Sequence, residues 1–176
     1  KVISAAYCRA MARYNRWQNE SLFEAAGTLS DEARREDRGA FFGSFHATLS
    51  LLYWADRIWL SRFDLCEPPD VPNAQSGEFV EDWAEVVSKR EELDEVLITF
   101  CDAYKSGPVT GALEWYSGAI KADAKAPLGV VFTHLFNHQT HHRGQVHAML
   151  TAAGASPKDT CLFIMPLELW PQNASD

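Results

Sequence analysis

The sequence predicts an all-α protein built as a four-helix bundle, and three observations carry that prediction. Four long stretches repeat apolar residues at spacings of three and four. One proline-rich break separates the second stretch from the third. Apolar residues at 47% and charged residues at 23% match an ordinary globular chain. The 176 residues fit a single domain, taken as 1–176, with the core over 1–167 and a tail over 168–176.

The first helix is expected over residues 4–26, with Tyr7, Met11, Tyr14, Leu22 and Ala25 on its apolar stripe and Gly27 as its stop. Ser30-Asp31-Glu32 then opens a short extra turn. The second helix is expected over residues 38–63 and presents Phe42, Phe45, Leu49, Leu52, Ala55, Ile58 and Trp59. Pro68, Pro69 and Pro72, with Asn73 and Gly77, make residues 64–77 a loop. The third helix follows over residues 80–104, with Trp83, Val86, Val87, Leu93, Val96, Leu97 and Phe100 on its apolar side. Its Lys89, Arg90, Glu91 and Glu92 read as solvated surface. Residues 106–127 punctuate Ala112-Leu113-Glu114-Trp115-Tyr116 with Gly and Pro, the mark of a loop or small hairpin. Pro127 takes the first position of the fourth helix, which runs to Ala153 and ends at Gly154. The apolar Cys161-Leu162-Phe163-Ile164-Met165, bounded by Pro157 and Pro166, is expected to pack as an irregular tail, and residues 172–176 to be disordered.

Charge and cysteine usage narrow the partners. The net charge is −8 without a basic cluster, so nothing would neutralise phosphates, and nucleic acid is not an expected partner. No apolar run approaches the roughly 20 residues that span a bilayer, so no membrane partner is expected either. Cys8, Cys66, Cys101 and Cys161 lie far apart with no Cys-x-x-Cys pair. That suits a reduced, cytoplasmic protein better than a disulfide scaffold or a thiolate zinc site.

The chemistry concentrates on the fourth helix, which carries His134, His138, His141, His142 and His147. Each helical residue turns about 100°, so the first four share one face while His147 points away from His138. Imidazoles on a buried face need hydrogen bonds or a metal ion. His138 and His142, at i and i+4, reach a common ion, whereas His134 and His142 are about 12 Å apart along the axis. One helix therefore supplies a pair, and a third ligand must come from elsewhere. The remaining histidine is His46, in the stripe of the second helix with Phe42, Leu49 and Tyr53. Three neutral imidazoles with an open fourth position suit zinc, nickel, iron(II) or cobalt. His134 and His147 read more simply as surface or hydrogen-bonded residues, while His141, three residues from His138, fits either reading.

Asn137-His138-Gln139-Thr140-His141-His142-Arg143-Gly144-Gln145 resembles the final-helix motif of the DinB family, the DinB/YfiT-like metalloenzymes. Phe41-Phe42-Gly43-Ser44-Phe45-His46-Ala47-Thr48, continuing through Trp54-Ala55-Asp56-Arg57-Ile58-Trp59, resembles its second-helix motif, and Tyr14-Asn15-Arg16-Trp17 its first helix. The likeness spans nearly the whole chain in the family's order. It implies an up-down-down-up bundle that forms homodimers and holds one divalent metal ion, zinc or nickel or iron, with His46, His138 and His142. Gly144 is expected to permit close helix packing, Gln145 to support the ligands by a hydrogen bond, and Arg143 to serve packing or surface charge.

Two functional expectations follow. The first is a metal-dependent enzyme whose open position takes a thiol or water; the resemblance favours a transferase acting with a low-molecular-weight thiol, with a metal-dependent hydrolase as the alternative. The second is a non-catalytic metal-binding protein of the stress response. Zincin-type proteolysis is excluded because Gln139 stands where the general base Glu belongs, and the inverted motif finds His141 at its Glu position. No Glu-x-x-His pair supports a carboxylate di-iron centre. Tyr53, Trp54, Trp59 and Trp115 are candidates to line the site.

Overall fold

The computed structural model describes residues 2–104 and 107–171. The expectation of disorder over residues 172–176 therefore lies outside the described residues. Four main helices dominate: α1 (Ala5–Gly27), α3 (Phe45–Ser61), α4 (Trp83–Asp102) and α5 (Leu128–Ala152). A five-residue α2 (Asp31–Arg35) follows α1, and an antiparallel hairpin of β1 (Ala112–Ser117) and β2 (Ala122–Pro127) leads into α5. Each of the first three main helices starts at an oxygen-bearing cap. Ser4, Ser44 and Asp82 accept hydrogen bonds from the backbone N–H groups of Tyr7, Ala47 and Glu85.

Helix directions follow from which residues meet. Along α1 and α4, Phe23 meets Trp83 while Arg13 pairs with Asp102, so these two run antiparallel. Asp56 bonds Arg90 and Phe63 meets Phe100, so α3 and α4 run parallel. Trp59 meets His134 and Asp56 bonds Gln139, so α3 and α5 are antiparallel, whereas Tyr7–Phe136 and Asn15–Arg143 make α1 and α5 parallel. The bundle is thus up-down-down-up, and the parallel pair α3/α4 requires the long connection between them. That connection holds a 3₁₀ turn (Asn73–Glu78) packed back on α3 through Ser50, whose hydroxyl bonds Ser76 and Val80 backbone.

Phe132, Phe136, Leu22, Leu49, Leu97 and Leu150 fill the centre. Among the described residues, no helix is long and apolar enough to cross a membrane.

Two boundaries differ from the sequence reading for physical reasons. The second main helix begins at Phe45, not near residue 38, because Gly39 and Gly43 adopt left-handed backbone (φ +73° and +76°) and Ala40 pairs with Gly43 in a tight bridge. Pro127 immediately precedes the last helix instead of occupying its first turn. The segment read as loop or hairpin is a hairpin, with Leu113 and Trp115 on its covered side.

A further correction concerns Arg90. Read as solvated, it is only 3% exposed, because Asp56 and Asp94 bind it at 2.7 Å each. Asn15 and Asn19 from α1 bond Asp94, Gln139 from α5 bonds Asp56, and Arg143 bonds Asn15. Polar residues at helical spacing therefore join all four helices across the core.

Candidate functional site

α5 presents a row of imidazoles on the side facing α3. His134 and His138 have ring centroids 5.7 Å apart, and His138 and His142 only 4.5 Å apart. The i and i+4 spacing of the pair places both rings on one side of α5, while Gln139 and Arg143, each about 100° further round, point into the core. His134 is exposed, His138 half-buried and His142 buried, so the row descends from surface to interior.

Each imidazole has a defined surrounding. The His142 Nδ1–H donates to Gln145 Oε1 at 2.7 Å, which leaves its Nε2 lone pair free, and its ring meets Phe42 edge-on. The buried His138 Nδ1 has no hydrogen-bond partner. Burial pushes the His138 pKa down to about 4; the neighbouring His142 adds to that shift and Asp56 opposes it. Burial also lowers the pKa values of His142 and His134. All three are neutral at physiological pH and available as nitrogen donors.

His46 stands apart from this row. Its Nε2–H donates to the Val80 carbonyl at 2.7 Å, and its ring meets Trp83 at the start of α4. The reason is helical phase: His46 and Trp59 on α3 are thirteen positions apart, which leaves them about 140° apart around the axis. Trp59 is the residue that meets His134, so His46 faces α4 and the 3₁₀ turn instead. The structure brings His138 and His142 together and does not bring His46 to them. Among the described residues no three His, Cys, Asp or Glu side chains gather as a metal-binding group. The described residues thus hold a two-imidazole pair, and the three-nitrogen set is not assembled.

The other candidates separate cleanly. Gln145 bonds His142, as the family motif implied. Gly144 faces open space, with nothing within 4 Å of where a Cβ would stand, so close helix packing is not its role. Arg143, buried against Asn15 and Thr140, belongs to the core network and not to the surface. His141 is exposed beside His142, and His147 lines a separate groove between α1 and α5. Tyr53 stacks on Phe79 and accepts from Arg57, and Trp54 donates to the Val71 carbonyl, so both face the α3–α4 connection. Trp59 and Trp115 do reach the row: they meet each other at 5.4 Å, and Trp59 meets His134 at 5.1 Å. Sequence reasoning missed Asp56, whose charge acts on His138 while its Oδ2 is tied to Arg90 and Gln139.

An up-down-down-up bundle with a His-x-x-x-His pair on its last helix defines a class of compact helical proteins with an imidazole-lined face. The DinB family profile matches residues 4–166, and the chain belongs to the DinB family. It is similar to Protein DinB of Bacillus subtilis (strain 168), at 24% identity over 158 residues that cover 86% of this chain and 90% of that protein. Its fold is similar to the crystal structure of a DinB-like protein from Bacillus cereus ATCC 10987, with a TM-score of 0.50 and 18% identity over 82% of this chain and 91% of the other.

Proposed function

We propose that this DinB-family protein binds one divalent transition-metal ion through His138 and His142 and uses it in a metal-dependent reaction on a small molecule. The observation that supports this reading is the pair itself: two neutral imidazoles 4.5 Å apart, one with a free buried nitrogen, the other oriented by Gln145. A divalent ion at such a pair supplies an electrophile that lowers the pKa of water or a thiol. Gln145 holds the His142 ring in one tautomer, and Phe42 shields that ring's edge from solvent. A transferase acting with a low-molecular-weight thiol is the specific chemistry we favour, and zinc or nickel the metal, with iron as the alternative.

The separation of His46 from the pair favours a second reading, in which two protein ligands hold metal weakly and the bundle serves as a non-catalytic binding protein. Zinc titration by calorimetry on protein purified without an affinity tag distinguishes them. One equivalent bound by wild type, lost in His138→Ala and retained in His46→Ala, supports the two-histidine centre. Loss in both variants restores His46 as a ligand and requires it to leave the Val80 carbonyl. No binding in wild type overturns the metal reading. Homodimerisation is likewise proposed, supported by exposed Phe163 and Leu167 near the chain's end, and light scattering of the purified protein tests it.

A further inference from the structure

The row of rings continues past His134 to an arginine. Arg62, at the end of α3, has its guanidinium 4.2 Å from the Trp59 ring centroid and 5.3 Å from that of Trp115, so it sits in the corner formed by two indoles that themselves meet at 5.4 Å. The hairpin brings Trp115 there: alternation along β1 turns Trp115 toward Trp59, while Glu114 pairs outward with Lys125. Packing on an indole covers one face of a guanidinium and leaves its N–H edge free to recognise planar anions. Among the described residues Arg62 has no carboxylate partner. Burial depresses its pKa without any acidic neighbour to offset it, in contrast to Arg90, whose two aspartates do. Arg62 in turn helps burial to keep His134 neutral, so that imidazole brings no charge to the guanidinium. The C-terminal end of α3 gives it partial compensation only.

We propose that Arg62, held in the corner of Trp59 and Trp115 at the end of the imidazole row, is the anion anchor of this protein's ligand site. The ligand it takes is a small molecule with a carboxylate or phosphate at one end and an apolar body that lies on the indoles and the His134 ring. In assigning the ligand's other end to His138 and His142, the inference rests on the metal reading above; the anchor itself does not.

Metal-free protein at low salt, titrated with phenylacetate, phenyl phosphate and neutral phenylacetamide, tests the anchor, with the indole N–H signals of Trp59 and Trp115 followed by NMR. Wild type is expected to bind at least one of the anions about tenfold more tightly than the amide, with both indole signals shifting. A preference for phenyl phosphate over phenylacetate identifies a phosphate ligand, and the reverse a carboxylate. Arg62→Gln should erase the preference, Arg62→Lys should keep part of it, and His147→Ala, in the separate groove between α1 and α5, should leave it intact. Equal binding of anions and amide by wild type overturns the anchor, as does a preference that survives Arg62→Gln. Because no metal is present, failure of the zinc titration leaves this result standing, and failure here leaves the zinc result standing.

Discussion

His138 joins a depressed pKa to a nitrogen without a partner, and the sign of its effect on stability can be worked out. Its folded value is about 4 against an ordinary value near 6.5, so the unfolded chain binds the extra proton first. The metal-free protein therefore loses stability as pH falls through 6.5, and the loss is complete below about 4. Urea unfolding at pH 7.5 and pH 5.0 should show a smaller pH difference in His138→Gln than in wild type. An equal difference would place the responsible titration elsewhere. The His138–His142 pairing was legible in the sequence because i, i+4 spacing alone puts two rings together on a helix. The place of His46 was not. Nearby apolar residues marked it as inward-facing, but a bundle helix touches two neighbours, and stripe membership does not say which one a residue meets.

Among the elements, α3 depends most on its start. Gly43 turns the chain with φ +76°, and Ser44 then caps the helix by accepting from the Ala47 N–H. Ser44→Ala should lower stability by about 1 kcal/mol through the lost cap. Gly43→Ala should cost about 1–2 kcal/mol from left-handed backbone, since a Cβ there meets Asp37 at an ordinary 3.5 Å. Thermal unfolding followed by circular dichroism checks both, and stability unchanged in Gly43→Ala would show that the turn tolerates other backbone. The apolar period predicted α3 but overran its beginning, because Phe41 and Phe42 continue the pattern while the glycines beside them break the backbone. Periodicity registers side chains; the helix ends where the backbone changes hand. The hairpin was half-legible for a related reason: Gly and Pro marked the turn, but its pairing depends on the covered side of Trp115 finding Trp59.

At the scale of the whole molecule, the Asp56–Arg90–Asp94 cluster with Asn15, Asn19, Gln139 and Arg143 ties every main helix to the centre. Asp94→Leu leaves Arg90 with half its compensation and Asn19 without an acceptor, and should cost about 3–5 kcal/mol, read as a lower urea midpoint. A midpoint within error of wild type would mean that water or another side chain replaces the carboxylate. The up-down-down-up topology could be anticipated from the family likeness alone; the connection read as a loop proves to be the one that returns the chain between parallel helices. The central network could not. Arg90 sits among Lys89, Glu91 and Glu92, and one helical turn looks alike whether it faces water or a buried aspartate.

The seating of α5 carries a consequence for how such a protein changes over generations. Gln139 and Arg143 anchor the helix from within, each one position after a histidine of the pair, so rotation and register are fixed by side chains that take no part in the imidazole face. The two tasks are written on neighbouring flanks of one rod, about 100° apart. Mutation can therefore rewrite the exposed letters at positions 134 and 141, and more narrowly those at the half-buried 138 and buried 142, while Gln139 and Arg143 keep the helix in place. The bundle is thus a frame whose seating and whose imidazole face are set by different side chains and can change separately.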